Sequence, residues 1–283
     1  MKVTALLILL LYISLLNCPA QTFEWAIANA YNAFNKDSNV STDAEGNIYT
    51  STLCYNYSRH SDNQWVSGIV ISKYAPNGNV IWSDTATGIY SVRTVADAKG
   101  NLYLTGIGFG NIKLGSYAYY AHPSESFFAK FTSSGKCAWV KFLPDGGGVH
   151  ITANNKTGGG YMIGGAKSIG NIYFNSGFNR DGYYHFFARF DEEGEFLWAN
   201  TVDFPGWGGV AANTNIVRTN NSLCSDKEGN LYIGATALID SVNYTYLEKI
   251  NENGESQYFY KFPTSNIRPP SSFCVNNVAL NLR

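Results

Sequence analysis

SKYAPNGNVIW (72–82), AKFTSSGKCAW (129–139), ARFDEEGEFLW (188–198) and EKINENGESQY (248–258) are four versions of one eleven-residue pattern, 57 to 60 residues apart. Each joins a strand of apolar, basic and aromatic residues to a Gly-containing turn, with an aromatic residue four positions after the glycine. Trp82, Trp139 and Trp198 hold that slot, and Tyr258 takes it in the last version. A period of this length means that one supersecondary unit is copied along the chain.

A second pattern alternates with the first: DAEGNIYT (43–50), DAKGNLYLTG (97–106), NKTGGGYMIGG (155–165) and DKEGNLYIGA (226–235). The opening Asp (Asp43, Asp97, Asp226) can accept hydrogen bonds from backbone two residues on, and the Gly three later tolerates positive φ, so each stretch predicts a tight strand reversal. Asn155 is read as the Asp counterpart in the third. The apolar/polar alternation that follows, as in Leu102-Tyr103-Leu104, has the period of a half-buried strand.

One unit therefore reads as strand a, turn, strand b, variable loop, strand c, turn, strand d ending at the aromatic residue. The expected units span about 38–82, 91–139, 148–198 and 215–258, with a partial fifth at 272–283. Four-stranded antiparallel sheets repeated in line are the building block of a β-propeller. The tryptophans are expected to fill the wedge between neighbouring sheets.

The ordered combination of D-x-x-G-N-[IL]-Y, an intervening G-N-I (Gly110-Asn111-Ile112, Gly170-Asn171-Ile172) and F-F-A-[KR]-F-x-x-x-G-x-x-x-W resembles the SBBP-type β-propeller repeat of secreted bacterial proteins, over roughly residues 23–262. The third unit departs from that pattern in its turn, and the fourth lacks G-N-I. What the resemblance implies is fold and export; it carries no catalytic residues. No cofactor is expected, and cysteines far apart without a C-x-x-C make a metal site unexpected.

Residues 1–20 have the physics of a secretory signal peptide: Lys2, the apolar run Ala5–Leu16, and a small residue at Ala20 before Gln21. The rest, 21–283, forms the propeller domain in this reading. The alternative is a lipoprotein signal with Cys18 as the anchor. A composition with 45% apolar residues, 15% aromatic residues and 28 glycines supplies a core and many turns. A net charge of −1 without a Lys/Arg run excludes an electrostatic footprint for nucleic acid, and no later stretch approaches a membrane span. Cys54, Cys137, Cys224 and Cys274 remain after processing, either as buried thiols or as bridges.

Ring closure is left open by the pattern. Phe23-Glu24-Trp25-Ala26 looks like a lone strand d, and Ser272-Phe273-Cys274-Val275-Asn276 matches the first strand of a fifth unit that has no strand c. The chain is then either the front part of a longer product or a four-membered ring with loose ends.

Function is expected on the face formed by the variable b–c and d–a connections (53–66, 107–126, 141–148, 165–184, 199–214, 236–243). Trp207 falls outside the repeating slot, and Trp65, Tyr119, Tyr120, Tyr183, Tyr184 and Asp203 share its face. Such rings either stack on a glycan or a surface protein or cover the tops of the sheets. Asp62, Asp84, Asp145, Asp181, Asp203 and Asp240, with His60, His122 and His185, could support glycoside hydrolysis, but on separate loops they define no carboxylate pair. His150 is read as an inner-strand residue. No H-E-x-x-H, G-x-S-x-G, P-loop or EF-hand signature is present. The expected protein is a non-catalytic binding module; the alternatives are a spacer or adhesin segment and, last, a propeller glycosidase or lyase.

Overall fold

The computed structural model describes residues 34–56, 66–143, 147–166, 168–169, 172–173, 184–201, 222–239 and 242–264. The signal segment, Cys18, Phe23–Ala26, Trp65, Tyr183, Asp203, Trp207 and residues 272–283 lie outside them. Every described element is a strand. In chain order these are β1 (Phe34–Thr42), β2 (Ile48–Asn56), β3 (Val66–Tyr74), β4 (Val80–Ala96), β5 (Leu102–Leu114), β6 (Tyr117–Phe131), β7 (Cys137–Leu143), β8 (Gly147–Ala153) and β9 (Gly160–Ala166). They continue as β10 (Ser168–Ile169), β11 (Ile172–Tyr173), β12 (Tyr184–Phe190), β13 (Phe196–Thr201), β14 (Ser222–Ser225), β15 (Leu231–Ile239), β16 (Val242–Ile250) and β17 (Ser256–Thr264). All pairings are antiparallel.

The D-x-x-G-N stretches are hairpin turns, built by their side chains. Asp43 Oδ1 accepts from the Glu45 and Asn47 amides at 3.0 and 2.9 Å, while Oδ2 accepts from Asn47 Nδ2 at 2.8 Å. Asp97 and Asp226 repeat this arrangement on Asn101 and Asn230. In the third unit the role falls to Asn154 rather than Asn155, because that turn is one residue longer: the Asn154 amide donates to Gly159 where the Asp43 amide donates to Asn47.

The second turn type, four residues before each aromatic, closes equally tightly. Gly78, Gly135, Gly194 and Gly254 each have φ between 76 and 86° and donate to the residue three earlier.

The strands form three large sheets and a short hairpin. Strands β14 to β17 pair in sequence, and β13-β12-β9-β8 make a second four-stranded sheet. The first two units differ from the expected separation. They share one seven-stranded sheet, because β4 runs from the last strand of the first unit into the first strand of the second without a loop. Gly88, at φ +75°, allows the bend; a Cβ there would lie 2.6 Å from the Asn111 carbonyl oxygen. Beyond the bend the sheet folds onto itself, and Asn39 Nδ2 of β1 donates to the Val92 carbonyl of β4 at 2.9 Å.

Successive residues of a strand point to opposite faces, and here both faces are buried. Leu102 and Leu104 join a core with Ile71 and Phe127, whereas Tyr103 and Phe128 join a second with Phe186 and Phe190. Tyr161, Ile163 and Phe187 turn to a third with Leu231, Ile233 and Ile250. Each core thus draws on two consecutive units, so the units stack face to face in chain order. Apolar burial shared between consecutive units contributes to holding them together.

Candidate functional site

One contact, an indole on the next unit's turn, recurs at all three junctions between described units. Trp82 Nε1 donates to the Ser133 carbonyl at 3.1 Å, Trp139 Nε1 to Glu192 at 2.9 Å and Trp198 Nε1 to Glu252 at 2.8 Å. Each indole packs against the turn glycine of the following unit: a Cβ on Gly135 or Gly194 would stand 2.8 Å from the Trp82 or Trp139 ring, and one on Gly254 3.2 Å from that of Trp198. Glycine is required there for two reasons, positive φ and ring contact. Tyr258 occupies this slot in the last unit and is 37% exposed.

A tyrosine makes the second contact. The Tyr49 hydroxyl donates to the Gly100 carbonyl at 2.6 Å, and the Tyr161 hydroxyl donates to Gly229. Burial pushes the Tyr161 hydroxyl up to about 12. Tyr103, facing the longer third turn, lies beside Gly159 without hydrogen-bonding geometry, and its buried hydroxyl stays unpaired.

Charge closes two of the three junctions. Glu192 is bracketed by Lys99 and Lys130, and Glu252 by Lys156 at 2.6 Å and Arg189 at 3.1 Å. Hydrogen bonding from Lys99, followed by the charge of Lys130, holds the Glu192 carboxyl below its ordinary range. At Glu252 burial alone would raise the pKa, but Lys156, Thr157, Arg189 and Asn154 outweigh it and the shift is downward. A lowered folded pKa means that the contribution is complete above the ordinary carboxylate pKa and is lost as pH falls through the folded value. The urea midpoint should therefore hold from neutral pH down to about pH 5 and decline below it. In Glu252→Gln the midpoint should be lower at neutral pH and the acid decline shallower. An unchanged acid limb in that variant would show that Glu252 does not link the units.

Among the described residues the most exposed aromatic ring, that of Tyr120, lies on the hairpin of β5 and β6. Residues 107–126, expected as a loop, are instead the arms of a hairpin: β5 and β6 pair out to Leu114 opposite Tyr117. A two-residue turn, Gly115-Ser116, joins them, with φ +57° at the glycine. The register places Ile112, Leu114 and Ala121 inward and buried, with Asn111, Lys113, Tyr120 and His122 on the opposite, exposed face.

Tyr119 and Tyr120, adjacent in sequence, consequently do not form one platform. Tyr119 stacks on Phe142 with ring centroids 3.6 Å apart, and Tyr117 donates its hydroxyl to the Ala138 carbonyl at 2.7 Å. Both pin the hairpin to β7. Tyr120 is left 63% exposed, with the His122 ring edge-on at 6.1 Å. Where the register slips between Gly108 and Gly110, Phe109 bulges outward against Tyr90. Asn111 and Lys113 were legible in the G-N-I-K-L segment only as a spacing motif; strand pairing is what sets them beside Tyr120.

No protein-family model matches this chain, and no curated protein matches it in sequence. Of the other sequence candidates, Tyr184 contributes backbone to β12, and its side chain is outside the described set. Asp84 Oδ1 accepts from the Thr85 amide at 2.7 Å, a local turn-like contact. Asp62, Asp145, Asp181, Asp240 and His60 also fall outside the described residues.

His150 sits on β8, where burial and then Arg93 push its pKa down to about 4. The neutral imidazole is the form present at physiological pH. Cys137 and Cys224 are free thiols, and burial pushes Cys137 up to about 12, which removes thiolate reactivity. Among the described residues no group of three or more His, Cys, Asp or Glu could hold a metal, and no helix is long and apolar enough to cross a membrane.

Proposed function

We propose that this chain is an exported, non-catalytic β-propeller protein of SBBP type, in which each unit is a blade and the b–c side presents a binding face for a glycan or surface protein. The stacking of consecutive units through one repeated Trp contact supports the propeller reading, since blades that share a ring meet through equivalent contacts. The observation that carries the binding reading is Tyr120: a ring exposed over most of its surface, on a hairpin pinned to β7 by Tyr117 and Tyr119, flanked by an amide, an ammonium and an imidazole. A fixed ring with polar neighbours suits stacking on a pyranose at little entropic cost.

Binding to an array of bacterial and host glycans, followed by titration of the ligands found, tests this. Tyr120→Ala should weaken binding by roughly tenfold or more while the thermal midpoint stays unchanged, as for a central contact residue. Trp207→Ala should act in the same direction. Undiminished affinity in both variants would remove this face from the site.

The second reading is a structural spacer or adhesin segment, favoured by the exposed aromatic edge of β17, where Tyr258, Phe259 and Tyr260 sit. On that reading no glycan binds and Tyr120→Ala is silent in every assay.

A further inference from the structure

The first strands of three consecutive units carry a polar residue at the same step. Asn39 on β1, Arg93 on β4 and His150 on β8 each stand three residues before the end of the strand, opposite Ser51, Thr105 and Ile163 in equivalent antiparallel registers. None of the residues opposite is acidic. β1 lies against β4, and β4 against β8. Asn39 Nδ2 and Arg93 Nη1 accordingly donate to one and the same acceptor, the Val92 carbonyl oxygen, at 2.9 and 3.2 Å. The charge of Arg93 in turn reaches the His150 imidazole.

Arg93 differs in one respect from the cations that sit between the units. Lys73, Lys130, Arg189 and Lys249 each face a carboxylate oxygen at 3.1 to 3.8 Å. Arg93 is half-buried and has no carboxylate partner among the described residues, and only one of its N–H donors is hydrogen-bonded there. Drawing a guanidinium part-way out of water without a counter-charge is costly. Its planar fork is shaped to receive two oxygens of one anion. The His150 imidazole, also half-buried, has no hydrogen-bond partner among the described residues.

We infer that Arg93, flanked by Asn39 and His150, holds an oxyanion, the carboxylate or phosphate group of a small molecule. The guanidinium supplies the charge and a pair of parallel N–H bonds. Asn39 keeps its second amide N–H, and neutral His150 its ring N–H, for the remaining lone pairs. The site is separate from the Tyr120 hairpin: β5 carries Thr105 opposite Arg93 and Asn111 opposite Tyr120, so the claim does not depend on what that hairpin binds.

Titration of the full chain with sodium phosphate and, separately, sodium acetate, at fixed pH and constant ionic strength, tests it. The readout is the imidazole C–H resonance of His150 in proton NMR, assigned by its loss in His150→Gln. The resonance should shift saturably with at least one of the two anions, and which of them binds decides between a phosphate and a carboxylate ligand. Arg93→Gln should raise the Kd tenfold or more, and Arg93→Lys, which keeps the charge but not the fork, severalfold, while Tyr120→Ala leaves it unchanged. The absence of a saturable shift with either anion would overturn the inference, as would a Kd unaltered in both Arg93 variants.

Discussion

Trp139→Ala should lower the unfolding free energy by about 3–5 kcal/mol, the range for removing a large ring from a packed site. The indole lies over Gly194, packs edge-on against Phe128 at 5.2 Å and against Tyr103 at 6.3 Å, and donates to the Glu192 carbonyl. Alanine leaves a gap between the second and third units that the two sheets, each held by its own ladder, cannot close. Trp139→Phe keeps most of the ring and gives up the hydrogen bond. The Glu192 carbonyl also accepts from Lys130 Nζ at 3.1 Å, so it is not orphaned, and the cost should be about 1 kcal/mol. Urea denaturation of the two variants measures both terms. A cost below about 1 kcal/mol for the alanine variant would mean that the indoles do not hold the units together.

Gly159→Ala is the second large effect, expected at about 2–5 kcal/mol from left-handed strain together with steric overlap. At φ +68° an added Cβ would lie 2.1 Å from the Phe190 carbonyl oxygen and 2.6 Å from the Asp191 carbonyl carbon. Both are backbone atoms, and neither can move without opening the β9–β12 pairing that begins one residue later. Gly110 is the control. It has a similar φ of +70° but no atom within 4 Å of its would-be Cβ, so Gly110→Ala should show the conformational term alone, about 1–2 kcal/mol. Equal losses at the two positions would show that overlap contributes nothing.

The strand order was legible because its signals are local. Asp43 with Asn47, Asp97 with Asn101 and Asp226 with Asn230 build their turns from atoms at most four residues apart, and the glycines at positive φ close the second set of turns in the same way. Where a local pattern was misread, the reason is equally local. N-K-T-G matches the spacing of D-x-x-G, but the extra residue in that turn shifts the accepting side chain to Asn154. The repeat ends at Trp82, yet β4 continues through residues 83–91, where Gly88 takes positive φ without ending the strand.

The candidate site was less legible. Tyr119 and Tyr120 look like a pair in sequence, but pairing of β6 with β5 sends one ring to Phe142 and the other to solvent. His122 is a neighbour of Tyr120 on an exposed face.

By itself, then, the sequence determined an all-β chain of antiparallel hairpins repeated at a near-constant period, since turn chemistry and two-residue alternation act over a handful of bonds. Only the tertiary structure decided that alternate residues of one strand serve two different cores, and that each indole finds its carbonyl 51 to 54 residues further on. Such contacts are set by how whole sheets lie against each other, and no short stretch of sequence encodes that distance.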